Sequence, residues 1–452
     1  MKQEMVGIAQ DAVEKGRALG VQCEAFVQKS KSTSITVEGG KVSFGAQDGD
    51  YGVGIRIIKD RHVGYAFCTA ETLDFGIKNA IAVSRFGKPG NYMFHGDNDF
   101  SNTRSLFDNK IASLVPEDGL RLARDIMESS TYDKRANPAR GGIGFGVSSM
   151  AVANSNGVAA YDEGTQIGAS MMSIIKEGDV VVNGDESETS RSMDFSFEDI
   201  GRKATENAVS QLGQKGIETG AMTVILRPSA AFDIISNTVL SALYGSTVKK
   251  GESMYADKLH KQVAASSFSM IDDGSFNKGL NTYAFDEEGH PSRRNELIKD
   301  GVLQMFLYDQ FSALESGVKS TGNAMRAERN ESSTSYKFPP STCARNIILE
   351  GGTMAEEEMI KGVKNGVLVY DVLGAHTANR ASGDFSVAIY CGYAIKDGEI
   401  AYPLKGGMLG GNMPEMLKDA VLAKNYKLVG SMSPATGYVP SIKFENVRVA
   451  GD

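Results

Sequence analysis

Apolar and polar positions in the first ninety residues follow two periods in turn. Met5, Ile8, Ala9, Ala12, Val13 and Leu19 fall mostly on one face of a 3.6-residue repeat, and Gly20 can close it, so the chain opens with a helix. The period then shortens to two. Cys23, Ala25 and Val27 alternate with other residues, Ile35 and Val37 repeat the pattern, and Gly39-Gly40 turns the chain into Val42 and Phe44. Val53 to Ile58 returns through Lys59-Asp60-Arg61 into Val63, Tyr65 and Phe67, which predicts antiparallel hairpins. Leu73, Ile77, Ala80, Ile81 and Ser84 then restore helical spacing.

Gly87 to Leu114 is polar and broken by Pro89, Gly90 and Gly96, so it reads as a connection. A helix is expected from Pro116 through Leu120, Leu122, Ala123 and Ile126. The alternation of Gly with Ile143, Phe145 and Val147 predicts a strand packed closely against another backbone. Met150 to Val158 reads as a hairpin turning at Asn156-Gly157. Ser196 caps a helix that Gly213 ends. The second half begins with an apolar strand, Met222 to Leu226, stopped by Pro228, and a helix from Ala230 to Leu243. Strands and turns follow, with tips at Lys299-Asp300-Gly301 and Lys396-Asp397-Gly398 and helices near Met354–Lys364 and Pro414–Leu422. The fold class is α+β: hairpin sheets with helices in the N-terminal part and a mixed, strand-rich C-terminal part. The expected units are 1–90, 110–215 and 220–452, with the main cut near 213–220.

Composition narrows the functional classes. Hydrophobic residues at 41% and charged residues at 23% are globular proportions, and a formal charge of −8 argues against a surface built to neutralise phosphates. The first twenty residues carry charges throughout and no apolar core, unlike a signal peptide, and no run of 18 apolar residues offers a membrane span. Cys23, Cys68, Cys343 and Cys391 lie far apart and fit reduced, mostly buried thiols. A cytoplasmic protein that engages neither nucleic acid nor membrane is the expectation.

Several common chemistries are missing. There is no Gly-x-Ser-x-Gly elbow and no phosphate-binding Gly-x-x-x-x-Gly-Lys-Ser/Thr loop, and the five histidines include no pair at helical spacing for a zinc ion. Two clusters remain. Asp286-Glu287-Glu288-Gly289-His290 could hold a hard cation or an amine or supply acid/base groups, and its plainer reading is a solvated acidic turn before Pro291. Gly374-Ala375-His376-Thr377-Ala378-Asn379, followed by Ser382-Gly383-Asp384-Phe385-Ser386, lies between strand-like runs. Its small residues would let a peptide backbone approach, and its plainer reading is a glycine-rich loop with a hydrogen-bonded histidine. The neighbouring Cys391 reads as a small buried hydrophobe.

These segments recur in order with others: Leu297-Ile298-Lys299-x-Gly301-Val302-Leu303, Thr321-Gly322-Asn323, Ile395-x-x-Gly398-Glu399-Ile400, Pro403-x-Lys405-Gly406, Gly410-Gly411-Asn412, Ser433-Pro434 and Ala450-Gly451. Their order and spacing resemble the C-terminal domain of the TldD/PmbA protease family. The resemblance implies a heteromeric metalloprotease acting on peptides or unstructured polypeptides, whose TldD-type subunit holds zinc through His-Glu-x-x-x-His and a later Cys. Aligned on Lys249-Lys250-Gly251 and Asp272-Asp273-Gly274, this chain has Ser236, Asn237 and Ser241 at the helix positions, and Ser431-Met432-Ser433 near the Cys. Hydroxyls and an amide do not replace two imidazoles on Zn²⁺.

The chain therefore resembles the PmbA (TldE) subunit. What that implies is no catalytic residue or metal of its own, zinc in a TldD-type partner, and pairing with that partner or with itself. His376, Asn379, Asp286 and Glu287 are then the candidate walls of a peptide cleft. Two other readings stay open: a homodimeric peptide-binding module without chemistry, and a self-contained hydrolase with metal at the Asp286–His290 cluster.

Overall fold

A computed structural model describes residues 1–327, 334–430 and 434–451. Helix α1 (Lys2–Ala18) leads into three strands, β1 (Gln22–Glu38), β2 (Lys41–Lys59) and β3 (His62–Cys68), then helix α2 (Leu73–Ser84). After the polar connection come α3 (Asn109–Ala112), α4 (Pro116–Ser130), β4 (Ala136–Asn154), β5 (Ala159–Glu177), β6 (Val180–Ser190) and α5 (Phe197–Ser210). The strand expected around Ile143 and the hairpin expected after Met150 are one 19-residue strand, β4, which turns at Asn156-Gly157. The six strands form one antiparallel sheet in the order β3-β2-β1-β4-β5-β6, so stretches 1–90 and 110–215 contribute to a shared sheet.

Alternation along the long strands assigns the two faces of this sheet. Cys23, Ala25, Val27, Ile35 and Val37 of β1 all point one way. At one end of the strands that face is covered by α1 and α2, with Met5, Ala9, Leu73 and Ile77 in the core. At the other end α4 and α5 cover it with Leu122, Ile126, Ile200 and Ala204. Leu19 departs from the expected helical stripe: it lies past the end of α1 and is 45% exposed. The opposite face carries Glu24 and Phe26, and there the C-terminal half docks, placing Phe285 and Tyr336 against Phe26, Met150 and Val152.

The C-terminal half holds β7 (Gly220–Leu226), β8 (Ser269–Asp273), β9 (Arg294–Lys299), β10 (Val302–Leu303), β11 (Ala324–Met325), β12 (Ser341–Thr342) and β13 (Asn346–Glu350). It continues with β14 (Asn365–Leu373), β15 (Asp384–Lys396), β16 (Glu399–Pro403), β17 (Met408–Asn412), β18 (Val421–Leu422), β19 (Lys427–Val429), β20 (Thr436–Val439) and β21 (Ile442–Ala450). One sheet runs β10-β9-β8-β13-β20-β19. A second runs β14-β7-β21-β17-β15-β16 and closes on itself because β14 also pairs with β15, and β11 pairs with β12 in a two-stranded sheet. Positive φ at Asp300-Gly301 and Asp397-Gly398 makes the two expected hairpin tips.

Helix α6 (Pro228–Thr238) follows β7. Pro228 sits at its first position, where no amide hydrogen is needed. The expected helix to Leu243 gives way after Thr238 to a 3₁₀ turn, Leu240–Leu243. Helix α6 is buried nearly all round, with Ala230, Ala231, Phe232, Ile234 and Ile235 enclosed together with Ser236, Asn237 and Thr238, so it is the central helix of this half. Its Phe232 packs on Gly437 of β20, where a Cβ would stand 2.6 Å from the ring. The later helices are shorter than expected, Glu356–Lys361 and Met413–Met416. Among the described residues no helix is long and apolar enough to cross a membrane.

Candidate functional site

Two sheets end side by side. β6 is the outermost strand of the N-terminal sheet and β19 the outermost strand of a C-terminal sheet, and among the described residues no further strand pairs with either outer side. Between them lies a cleft of about 390 Å³, lined by Ser187 and Thr189 of β6, Ser229 at the start of α6, Asn281, and Lys427 and Leu428 of β19. Lys427 bridges the gap, with its Nζ 2.8 Å from Glu186 and 3.8 Å from Glu188 on β6. Unpaired strand edges present rows of amide and carbonyl groups that an extended peptide can join.

Three aspartates gather where β6 passes α6 and β14. Burial raises the Asp371 carboxyl on β14 to about 6, and the charges of Asp185 and Asp233 add to the rise. Burial also raises Asp185 on β6, with Glu186 adding and Lys427 opposing. Asp233 on α6 is raised by burial and partly relieved by His376. No arginine or lysine forms an ion pair with these three among the described residues. Cys391 is half-buried here, and burial together with Asp185 and Asp371 pushes its thiol to about 12, so it stays a neutral thiol. The other three cysteines are buried, and none is in a disulfide.

The zinc-helix positions lie on α6 and just beyond it. Ser236 Oγ donates to the Asp233 carbonyl at 3.1 Å and Asn237 Nδ2 donates to the same oxygen at 2.9 Å, so both side chains turn back on their own helix. Ser241 Oγ is enclosed without a hydrogen-bond partner. One amide and two hydroxyls, two of the three engaged within the helix, do not fit Zn²⁺. Residues 431–433, the counterpart of the family's cysteine, lie outside the described residues.

The four cleft candidates fall into two settings. His376 and Asn379 are exposed on the loop after β14, with His376 beside Asp233 and Asn379 Oδ1 accepting from the amides of Ala381 and Ser382. Asp286 and Glu287 lie deep between the two halves, so the solvated acidic turn expected from sequence is in fact buried. Asp286 Oδ1 accepts from the amides of Glu288 and His290 at 3.0 and 2.9 Å, and Oδ2 accepts from Ala324 at 2.9 Å. Glu287 accepts from the Arg326 amide. Glu288 meets Arg56 at 2.6 Å, and Glu24 meets both Arg56 at 2.7 Å and Arg326 at 2.8 Å. His290 stacks on His95 at 3.5 Å, with its Nε2 on Gln310 Oε1. Backbone amides and arginines thus occupy this cluster, which fastens the C-terminal half to the N-terminal sheet.

The comparisons with known proteins fit this anatomy. The family model described as PmbA/TldA metallopeptidase C-terminal domain matches residues 219–451, the central-domain model matches 109–212, and the domain 1 model matches 23–84. The chain belongs to the PmbA/TldD metallopeptidase family. An uncharacterized protein of Methanocaldococcus jannaschii is 29% identical over 90% of this chain and 93% of its own length. A Haemophilus influenzae protein named metalloprotease TldD homolog is 24% identical over 95% of this chain and 92% of its own. The crystal structure of TldE from Thermococcus kodakarensis superposes with a TM-score of 0.90 at 24% identity, covering 98% of this chain and 100% of that one. That likeness establishes the fold.

Reading the sequence missed Asp185, Asp233, Asp371 and Lys427. The missing signal was β6 itself, Val-Val-Val-Asn-Gly-Asp-Glu-Ser-Glu-Thr-Ser. A strand whose second half is all polar residues is an edge strand facing water, and its acids become informative once it is paired.

Proposed function

We propose that this chain is a PmbA/TldE-like subunit that binds extended peptide between β6 and β19 and depends on a zinc-bearing TldD-type partner for hydrolysis. One observation carries the reading: on α6, beside the cleft, Ser236 and Asn237 hydrogen-bond back to Asp233 where a zinc site would need an outward-facing imidazole and a carboxylate for the attacking water. The fold keeps the cleft and its edges while the metal donors are absent from the helix. Peptide would add as a strand, its backbone amides and carbonyls meeting those of β6 or β19, so recognition would depend little on side-chain identity. A cytoplasmic location suits the reduced cysteines.

A second reading, the self-contained hydrolase, draws on the Asp286–His290 cluster, and the occupation of that cluster by Arg56, Arg326 and backbone amides weighs against it. The test is peptidase activity on an unstructured polypeptide, for this chain alone and mixed with a zinc-motif relative, with bound zinc assayed in each fraction. Activity confined to the mixture, with zinc tracking the relative, is the expected result. Chelator-sensitive hydrolysis by this chain alone would overturn the subunit reading.

A further inference from the structure

The cleft does not end at Thr189. It opens into a second hollow of about 840 Å³, sharing Thr189 and Leu428, lined by Lys110 and Lys278 and by Arg191, the residue that follows β6. Arg191 is 4% exposed. Its Nη1 donates to the carbonyls of Leu280 at 2.7 Å and Thr282 at 3.1 Å, its Nη2 donates to Leu106 at 2.8 Å, and its plane lies 4.5 Å from the Tyr283 ring. Its Nε is buried with no partner.

Carbonyl dipoles hold the guanidinium in place, and among the described residues no carboxylate forms an ion pair with it. Asp162 feels that charge, yet its oxygens already accept from Ser105, Ala284 and Glu163. By contrast the buried Arg56 and Arg326 each pair with Glu24. The acids of the hollow are partly engaged: Asp108 accepts from the Lys110 and Met193 amides, Asp194 accepts from Ser192 Oγ, and Glu188 lies near Lys427. A buried, immobilised cation with an unused donor, at the end of a groove that suits an extended chain, is what a carboxylate would complete.

We infer that this hollow is a carboxylate subsite, with Arg191 as the principal cation and Lys278 and Lys110 assisting at its rim. The inference rests on the peptide-binding reading and adds a polarity to it: a peptide lying along β6 would place an anionic group, its C-terminal carboxylate or an acidic side chain, beyond Thr189. Gly164 belongs to the same device. A Cβ there would stand 1.7 Å from Arg191 Nη2, so only glycine leaves the guanidinium its place.

The experiment is fluorescence anisotropy with the full chain and a labelled unstructured peptide, bearing either a free C-terminal carboxylate or an amide. A charge-assisted contact of about 1.5 kcal/mol corresponds to about a tenfold tighter Kd for the free acid. Amidated peptides carrying Asp or Asn near the C-terminus separate a side-chain anion from the terminal one. Arg191→Gln should bring the acid and amide affinities together. Because Arg191 also ties three loops, Lys278→Ala provides a milder variant and should reduce the ratio by about twofold to threefold, as exposed charges do. Equal Kd values for acid and amide, and for Asp and Asn, would overturn the subsite and leave the peptide cleft standing. Absence of binding by any of these peptides would remove the cleft reading itself.

Discussion

Carboxylates gather at two places in this molecule, and their surroundings differ. Between the halves, Glu24, Asp286, Glu287 and Glu288 are buried, and arginine or backbone N–H groups meet them. Near the cleft, Asp185, Asp233 and Asp371 have lost much of their water, and among the described residues no arginine or lysine forms an ion pair with them. The first group is matched in the folded chain, as a structural network must be. Burial raises carboxyls in both groups, Glu287 and Glu288 (to about 8) in the first and all three aspartates in the second, so what separates the groups is ion pairing and not the direction of the shift. Acid density alone therefore misleads: the sequence cluster at 286–290 draws notice, while Asp185, Asp233 and Asp371 are scattered over three elements.

The largest test of this contrast is removal of the shared acid of the network. Glu24→Ala would leave Arg56 and Arg326 with buried charge that Glu24 had neutralised. Breaking such a pair costs about 3–5 kcal/mol. Denaturant unfolding should show that loss, or two transitions as the halves separate. A loss under 1 kcal/mol would mean that the network does not hold the halves together. Asp286→Asn is gentler. It keeps one acceptor oxygen but turns an NH₂ toward backbone amides, for an expected loss of about 1–3 kcal/mol.

Asp371→Asn should act in the opposite direction. The folded carboxyl titrates near 6, while an unfolded aspartate titrates near about 3.9. Between these values the folded state binds the extra proton, so this group's contribution to stability falls as pH rises from about 4 through 6. Asparagine avoids that ionisation and keeps the oxygen that accepts from Val372. Thermal melts should show the variant about 1 kcal/mol more stable at pH 8 and nearly equal to the parent at pH 4. A variant less stable at pH 8 would mean that Asp371 is matched after all, and the contrast would fail there.

Much of the fold is legible from pattern because one physical rule governs it. Helical and two-residue periods place α1, the strands from Cys23 to Phe67, α2, α4 and α5, since each has one face to bury and one to wet. Pattern fails where burial is complete. Helix α6 is buried nearly all round, so its period does not mark where Thr238 ends it, and the burial comes from sheets far away in sequence. The site is less legible still. Whether the 286–290 segment lies in water or buried, with Glu288 against Arg56, depends on docking between residues hundreds of positions apart. His376 can be singled out from its loop, but its neighbour Asp233 is visible only once α6 is placed.

The smallest expected stability effect is at Lys427, where it should separate cleanly from function. Its ammonium spans the cleft to Glu186 and Glu188 but is itself 42% exposed, and such pairs contribute less than about 1 kcal/mol. Lys427→Ala should therefore leave the melting temperature within a degree or two. The same change uncovers Glu186 and Glu188 on β6 and removes the cation that opposes the rise of Asp185, so the cleft becomes more acidic overall. Peptides rich in lysine should then bind more tightly and acidic peptides more weakly, each by a few fold, and added salt should shrink both changes. An unchanged preference would place peptide somewhere other than between β6 and β19. A large drop in melting temperature would instead put Lys427 with Arg56, among the cations that hold the halves together.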